Sequence, residues 1–370
     1  MTEETIAGSQ HSIDMEMFMI GGDYGERILR MLDSKAREGV KVRLIHREGT
    51  SIRCGVALKR LGQYVTRSRN MDASHHYRPT VDRLFLNELK HSPIRRGHFP
   101  LHRFGHSLSA PLKLAHDKLI IVDGQCAIMG GMNLADAVAE NHDLFVKITG
   151  HAVAAPSIAF EYDWSLTHPG KSGPNRTVFP PTSETGNTSD VLRFLTTRPH
   201  SRDQLDDVIG IIAAAKKRIW IEMFYVTEHR IIRALIRAIR RNVDVRVICD
   251  PNEYSLGLPM RGAPNLPFVG ELAGGGVPIR LFDTAPGKQM HQKSMLLDDE
   301  FVYTGATNFT RMSFRANTES SVLIRSRSVA KIFEKRFLDD WRNFSKEPDH
   351  DLIRRRRSYL GIVRRLSRYI

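Results

Sequence analysis

A chain of 370 residues with 41% hydrophobic and 26% charged residues has the composition of a globular protein, which excludes a disordered one. The three cysteines (Cys54, Cys126 and Cys249) are few and widely spaced, which excludes a disulfide scaffold and predicts buried thiols in a reducing compartment. The net charge of +14 predicts a polyanionic partner, either nucleic acid or an anionic bilayer. No apolar run approaches the length of a membrane span and the N-terminus lacks a signal-peptide pattern, so a cytoplasmic protein is expected.

The first half of the chain begins with a predicted strand, helix and strand. Ile13 to Phe18 predicts a buried strand, Gly25 to Glu38 carries apolar residues at helical spacing, and Gly39 to Ile45 predicts a second strand. A long connection, Thr50 to Leu112, separates these elements from an apolar run at Leu119 to Val122, which predicts a further buried strand.

The second half repeats this order. Ile219 to Phe224 parallels the first strand, Asn242 to Ile248 parallels the second, and a helical pattern lies between them at His229 to Arg241. Met295 to Leu297 is the counterpart of the later strand, and a helix at Arg202 to Lys217 precedes the set. Each half also ends in a predicted aromatic helix, at Phe160 to Trp164 and at Phe333 to Trp341. Strands that alternate with helices predict an α/β fold with parallel or mixed sheets.

The repeat and the composition together predict four segments. The stretch from Pro169 to Asn187 is rich in Gly, Pro, Ser and Thr, as a linker would be. We therefore predict a first half at 1–168, a linker at 169–190, a second half at 191–346 and a basic C-terminal tail at 347–370.

The two later strands carry the same polar motif, with the spacing H-x-K-x4-D. The six residues are His116, Lys118 and Asp123 in the first half and His291, Lys293 and Asp298 in the second. Gly131 and Asn133 follow the first copy, as Gly305 and Asn308 follow the second. Alternate residues of a strand share a face, so each His and its Lys are expected to point the same way. Two ammonium groups and two amides could surround a phosphate, while the imidazoles supply a nucleophile and a proton donor near neutral pH.

This matched pair resembles the phospholipase D superfamily, and the resemblance covers nearly the whole chain. The stretch from Asn308 to Glu319 is similar to the N-x-x-R-x-S-x-x-x-N-x-E stretch of bacterial cardiolipin synthases, and His142 to Gly150 is similar to the acidic strand after their first motif. The resemblance implies two α-β-α halves with mixed sheets, related by a pseudo-twofold axis with the active site between them. It also implies a transfer without metal or cofactor, in which one His forms a phosphohistidine while the other protonates the leaving alcohol and then activates the acceptor.

The resemblance also assigns roles to the candidate residues. It makes His116 the nucleophile and His291 the general acid, and it makes Asp143 and Glu319 each orient the imidazole of the opposite half. The lysines, Asn133, Asn308, Gly131 and Gly305 are expected to form the phosphate site.

Other acidic residues are expected to have supporting roles. Asp123 and Asp298 are expected to close turns behind the motifs rather than to take part in chemistry. Glu16 and Glu222 lie in apolar strands, and two interpretations stay open: each faces a polar rim or pairs with a nearby Arg, or each lies near the cleft and supports a motif His or Lys. No metal is assigned, because the remaining histidines, including His75 and His76, have no ligand-spaced partners.

The C-terminal stretch from Arg354 to Ile370 contains seven arginines and no acidic residue. Its apolar residues fall at helical spacing, and Arg364, Arg365 and Arg368 lie largely on another face, which favours a helix bound to an anionic membrane surface. A solvated tail helix and a nucleic-acid arm are the alternatives.

The leading function predicted from these features is phosphatidyl transfer of the cardiolipin synthase type, with phosphatidylglycerol as acceptor. The alternatives are a phospholipase D that uses water, a phosphodiesterase or nuclease that acts on nucleic acid, and a non-enzymatic membrane-binding module. The expected protein is a monomer that lies on the inner face of the cell membrane, binding phosphatidylglycerol and the bilayer surface through its tail.

Overall fold

The computed structural model describes residues 1–46, 91–98, 115–167, 190–198, 203–255, 258–259, 262–285, 288–355, 361–362 and 364–365. Most of the connection Thr50 to Leu112, nearly all of the linker 169–190 and much of the tail lie outside the described residues, as do Cys54, His75 and His76. The described residues fall into two compact units. Of the described residues, unit 1 comprises 1–46, 91–98, 115–140 and 145–167, and unit 2 comprises 141–144 and those from 190 onward.

Unit 1 is a six-stranded mixed sheet with helices. Its elements are α1 (Thr2–Ala7), β1 (Ser12–Met17), β2 (Ile20–Gly21), α2 (Gly22–Arg37), β3 (Lys41–His46), β4 (Arg95–His98), β5 (Lys118–Val122), β6 (Cys126–Gly130), β7 (Leu134–Ala135), α3 (Asp136–Ala139), β8 (Phe145–Thr149), a 3-10 turn (Gly150–Val153) and α4 (Ala154–Thr167). The strand order is β4-β3-β1-β5-β6-β8. Strands β4, β3 and β1 run parallel, whereas β5, β6 and β8 are antiparallel to their neighbours. Apolar side chains of β1 and β3 pack against α2, which buries a continuous core.

Unit 2 contains a larger sheet of the same kind. Its elements are β9 (Val191–Thr197), α5 (Asp203–Ala214), β10 (Arg218–Met223), α6 (His229–Arg240), β11 (Asp244–Cys249), β12 (Tyr254–Ser255), β13 (Leu258–Pro259), α7 (Leu266–Gly274), β14 (Ile279–Phe282), β15 (Lys293–Leu297), β16 (Phe301–Gly305), α8 (Arg311–Arg315), β17 (Glu319–Arg325), α9 (Arg327–Asn343), β18 (Ser345–Lys346) and α10 (His350–Arg355). The strand order is β18-β14-β11-β10-β15-β16-β17-β9. Helices α5, α6 and α7 contribute to one core cluster, and α9 contributes to a second.

The two sheets share one topology over six strands. The order β4-β3-β1-β5-β6-β8 of unit 1 corresponds to β14-β11-β10-β15-β16-β17 of unit 2, with the same strand directions. The register is also the same at the motif, because Lys118 pairs with Met17 and Lys293 pairs with Met223. The predicted α/β class with mixed sheets is confirmed, and the sequence repeat is a repeat of structure.

Three details differ from the sequence-based expectation. Each motif strand begins at its Lys, so the preceding His lies outside the ladder, and in unit 2 the His291 amide donates to the carbonyl of His142 instead. Residues 141–144, which the sequence places in the first half, group with unit 2. Of the two described cysteines, Cys249 is buried but Cys126 is partly exposed.

No helix formed by the residues that the structure describes combines the length and the apolar content needed to cross a membrane.

Candidate active site

The imidazole of His291 is held by a carboxylate. Nδ1 of His291 lies 2.6 Å from Oδ2 of Asp143, whose side chain is only 1% exposed. A carboxylate accepts a hydrogen bond, so this contact assigns the proton to Nδ1 and leaves Nε2 for chemistry. Oδ1 of Asp143 accepts the backbone N–H of Leu144 at 2.8 Å, which fixes the carboxylate itself. The arrangement is that of a base or acid whose tautomer and orientation are set by a third group.

A buried lysine lies beside the same imidazole. The ammonium Nζ of Lys293 donates to the carbonyl of His291, lies 2.9 Å from Nδ1, and lies 5.1 Å from the centroid of the Phe224 ring. The Phe224 ring is 4.7 Å from the imidazole. A buried ammonium is stable only with acceptors around it, and the carbonyl and the aromatic face serve as two of them. The result is a fixed positive charge next to the imidazole, which would attract a phosphate oxygen.

Unit 1 builds the same group of three side chains. Nζ of Lys118 donates to the carbonyl of His116 at 2.7 Å and lies 5.1 Å from the ring centroid of Phe18. The His116 and Phe18 rings are 4.9 Å apart in an edge-to-face arrangement. Because each unit repeats the His, Lys and Phe contacts independently, the repeat preserves the surroundings of the motif as well as the motif.

The Gly and Asn residues after each motif are buried. Asn133 and Asn308 are both buried, and among the described residues neither Oδ1 has a hydrogen-bond partner. Gly131 is buried, and a Cβ at Gly305 would lie 2.5 Å from the carbonyl oxygen of Ser320, so only glycine fits there. A buried amide with unused hydrogen-bonding capacity suits a polar ligand.

The two motif aspartates bind backbone amides. Asp123 accepts N–H groups of Gln10, His11 and Ser12 at 2.7–3.0 Å. Asp298 accepts those of Lys216, Lys217 and Arg218 at 2.7–3.3 Å. Both have positive φ, 53° and 50°, as tight-turn residues do. These bonds support the turn-closing role expected of both. Helix α5 ends at Ala214, before the predicted end at Lys217, and the amides of Lys216 and Lys217 bond to Asp298 instead.

A family comparison agrees with this geometry. A family model described as "Cardiolipin synthase, PLD-like domain" matches residues 3–164 and 208–341. This chain belongs to that family. The predicted membership of the phospholipase D superfamily is therefore confirmed.

Individual proteins to which this PLD-like chain is similar are named cardiolipin synthases. A cardiolipin synthase of Listeria innocua is 27% identical over 333 residues, covering 86% of this chain and 61% of that protein. The major cardiolipin synthase of Bacillus subtilis is 25% identical over 354 residues, covering 90% and 65%. The chain thus spans less than two thirds of the length of these relatives. The crystal structure of the phosphatidylserine synthase of Haemophilus influenzae Rd KW20 has the same fold, with a TM-score of 0.70 at 12% identity, covering 98% of this chain and 88% of that one.

Each unit of the PLD-like chain has a cluster of polar groups that are buried or, in the case of His142, half-buried. In unit 2 the cluster contains His142, Glu222 and Asp340, and in unit 1 it contains Glu16, Asp117 and Asp163. Within each cluster the possible ligand atoms lie within 4.8 Å of one another, so either could in principle hold a cation. In unit 2 the guanidinium of Arg336 already lies 3.4 Å from Nε2 of His142, which supplies positive charge to that cluster. Glu16 and Glu222, the glutamates that lie in apolar strands, belong to these clusters.

Burial and hydrogen bonding set the protonation of the unit 2 cluster. Burial, and then the hydrogen bond to Asp340, raise the pKa of Glu222 well above its ordinary value, so Glu222 keeps its proton. Burial opposes ionisation of Asp340, but hydrogen bonds from His142 and Glu222 outweigh it and lower the pKa of Asp340. Asp340 is therefore the charged member of the carboxyl pair.

Sequence reasoning missed several residues around the motifs. Phe18 and Phe224 end the repeated strands, and the repeat itself was the signal that could have found them. Asp250 follows β11 and accepts the N–H of Met290 at 2.8 Å, directly before His291. Burial raises the pKa of Asp250 to about 7, although hydrogen bonds from Asn252 and Met290 oppose the shift. Nothing local in the sequence separates Asp250 from an ordinary loop aspartate. Glu319, which was predicted, is fully buried at the start of β17 and accepts Nδ2 of Asn317 at 3.1 Å.

Proposed function

We propose that this protein catalyses phosphatidyl transfer of the cardiolipin synthase type, with phosphatidylglycerol as the acceptor. The observation that carries the proposal is the pair of motifs, each with a His beside a buried Lys and followed by a buried Asn, together with the Asp143–His291 hydrogen bond. Family membership and the names of the relatives support the substrate class.

In the proposed reaction both histidines act on one phosphate. Nε2 of His116 attacks phosphorus, the bond from phosphorus to the leaving alkoxide breaks, and His291 gives its Nε2 proton to that oxygen. The phosphatidyl group is then carried on His116. In the second step His291 removes the proton of an incoming glycerol hydroxyl, whose oxygen attacks phosphorus and releases His116. Asp143 supports the acid role, since a carboxylate on Nδ1 stabilises the imidazolium form of His291.

The lysines and asparagines supply the electrostatic part of the reaction. Charge develops on the phosphoryl oxygens during transfer, and Lys118, Lys293 and the two Asn amides offer positive charge and donors for it. We therefore propose that the transfer proceeds without a divalent cation.

Docking on an anionic bilayer is the second part of the proposal. Arg364 contacts Glu271 of α7 at 3.0 Å, and Glu271 is also 3.7 Å from Nδ1 of His229, the first residue of α6. The amides of Thr227 and Glu228, just before α6, bond to the carbonyl of Phe309, which follows Asn308. Part of the tail thus contacts α7 next to the start of α6, and the residues just before α6 bond to the residue that follows Asn308. Ile362 is 59% exposed near Arg364 and Arg365, a combination suited to a lipid headgroup region.

The test is a product analysis with two substrates. Purified protein is incubated with phosphatidylglycerol vesicles, and the expected products are cardiolipin and glycerol in equal amounts, absent with His116→Ala. Phosphatidic acid in place of cardiolipin would make the protein a phospholipase D that uses water. Cleavage of plasmid DNA without any lipid product, lost in the same variant, would establish the nuclease alternative that the charge of +14 permits.

A further inference from the structure

A four-residue segment of the chain leaves unit 1 to join unit 2. Residues 141–144 lie between α3 and β8 of unit 1, but they pair with residues 289–291 of unit 2. The amide of His142 donates to the carbonyl of Gln289 at 2.9 Å, and the amide of His291 donates to the carbonyl of His142 at 2.9 Å. Oδ1 of Asn141 accepts the amide of Gln289 at 3.1 Å. This short bridge brings Asp143 to His291.

The side chain of His142 is held by rigid elements of unit 2. Its Nε2 lies 2.8 Å from Oδ2 of Asp340 on α9. Its ring stacks on Phe282 of β14, with centroids 4.6 Å apart and planes inclined by 27°. Only 26% of the side chain is exposed, so the imidazole is inserted into unit 2 rather than lying on its surface.

A polar network connects this imidazole to Gln292, the residue that follows His291. Arg336 of α9 lies 3.4 Å from Nε2 of His142 and donates to Oε1 of Gln292 at 3.1 Å. Gln292 in turn donates to Oε2 of Glu222 at 2.7 Å, and Glu222 lies 4.0 Å from His142. The network therefore fixes the residue after His291 as well as the segment that holds Asp143.

We propose that His142 is a positioning residue, whose imidazole, bound to Asp340, holds segment 141–144 so that Asp143 meets Nδ1 of His291. A hydrogen bond of 2.6 Å between Asp143 and His291 tolerates little displacement, and Asp143 has no rigid strand or helix of its own to place it. The contacts of His142 supply that rigidity from the next position in the chain. The guanidinium of Arg336 lies 3.4 Å from Nε2 of His142, and its positive charge helps to keep Asp340 ionised, which favours this role over a cation site.

The spectroscopic test does not depend on catalysis. In protein labelled with 15N-histidine, the Nδ1 proton of His291, bonded to a carboxylate, should give a low-field resonance, assigned by its loss in Asp143→Asn. The resonance should also be lost in His142→Ala, persist in the exposed control His151→Ala, and return in part in His142→Gln, whose amide can donate to Asp340. Thermal unfolding identifies any variant that fails to fold. Asp340→Asn then tests the His142–Asp340 hydrogen bond by changing the carboxylate instead of the imidazole. A resonance that persists in folded His142→Ala overturns the proposal.

The kinetic test rests on the proposed transfer activity. His142→Ala should lower kcat by roughly 10–100-fold with little change in KM, as loss of a group that orients another does. Asp143→Asn should lower kcat at least as far, and the double variant should be no slower than Asp143→Asn, because His142 acts only through Asp143. Multiplied losses in the double variant contradict the proposal. If the wild-type protein transfers no phosphatidyl group at all, the proposed function fails while the resonance of His291 still decides the role of His142.

Discussion

Replacing Asp123 with Ala should destabilise unit 1 and leave the chemistry of the folded molecules unchanged. The carboxylate accepts the backbone N–H groups of Gln10, His11 and Ser12. Water can reach the exposed Gln10 and His11 amides in the variant, so the three bonds together account for about 2 kcal/mol rather than their full desolvation value. An alanine at φ 53° adds about 1 kcal/mol of backbone strain. The expected loss of about 3 kcal/mol corresponds to a fall in Tm of roughly 6–12 °C.

Three companion variants separate the contributions. Asp123→Gly removes the strain but keeps the loss of acceptors, whereas Asp123→Asn tolerates the positive φ and retains one acceptor oxygen. Asp298→Ala repeats the experiment in unit 2, where Asp298 accepts three corresponding amides. Thermal unfolding gives the stability, and kcat per folded molecule gives the chemistry. If Asp123→Ala keeps its Tm but loses most of its kcat, the aspartate is catalytic and the reasoning is wrong.

The pH dependence of the same variants follows from the sign of the shift. Burial opposes ionisation of Asp123, but backbone hydrogen bonds from Ser12, Gln10 and His11 outweigh it and lower its pKa. A carboxyl whose pKa is lowered by folding stabilises the protein above the unfolded pKa of about 4. That contribution is lost as the pH falls through the lower folded-state pKa. The stability gap between the wild type and Asp123→Asn should therefore be constant near neutral pH and close below about pH 4.

Three further predictions follow from the proposed reaction. Both His116→Ala and His291→Ala should lose turnover, and rapid quenching should trap phosphoenzyme in His291→Ala alone; trapping in His116→Ala alone would reverse the two roles. Activity should persist in excess EDTA because Lys118 and Lys293 supply the positive charge, and loss that a single added metal restores would refute this. A chain that ends at Arg355 keeps Ile353, which packs against the core of unit 2, but lacks five of the seven tail arginines. It should lose sedimentation with phosphatidylglycerol vesicles at low salt yet still cleave a short-chain, detergent-dispersed substrate, and full sedimentation would show that binding lies elsewhere.

The sequence predicted the sheets well because their strands are short apolar runs that occur twice. Ile13 to Phe18 and Ile219 to Phe224 lie at β1 and β10, and the matching registers of Lys118 and Lys293 follow from the repeat. Asp143 was also predicted as the partner of His291, although only through resemblance. The strands and their registers depend on local patterns, which a sequence contains in full, whereas the Asp143–His291 contact does not.

The contacts that the sequence did not predict depend on tertiary hydrogen bonds. Residues 141–144 follow α3 in the chain, and no periodicity indicates that they pair with residues 289–291. For the same reason the sequence predicted that the motif histidine lies in the strand, which in the structure begins only at the Lys. The amide of His291 bonds instead to the carbonyl of His142, a partner 149 positions away that no local pattern reveals.

The residue between the motif His and Lys differs between the two halves: it is Asp117 in unit 1 and Gln292 in unit 2. Asp117 of unit 1 clusters with Glu16 and Asp163, whereas Gln292 of unit 2 forms hydrogen bonds with Glu222 and Arg336. Gln292 donates to Glu222 at 2.7 Å and to Ser294 at 2.7 Å, and it accepts from Arg336 at 3.1 Å. One neutral side chain therefore satisfies both a carboxyl group and a guanidinium.

Replacing Gln292 with Asp, the residue found at this position in unit 1, should destabilise the protein because it adds a buried charge. Gln292→Asp removes the donor and adds a carboxylate to a buried site with Glu222 and Asp340, whereas Gln292→Asn has the same size without the charge. At neutral pH the Asp variant should be less stable than the Asn variant by about 3 kcal/mol, the cost of an uncompensated buried charge. Burial raises the folded-state pKa of the introduced carboxyl, so the gap should widen as the pH rises above about 4 and close below it. Equal unfolding free energies for the two variants at pH 8 would mean that Arg336 compensates the added charge, and that Asp and Gln are interchangeable between the motif His and Lys.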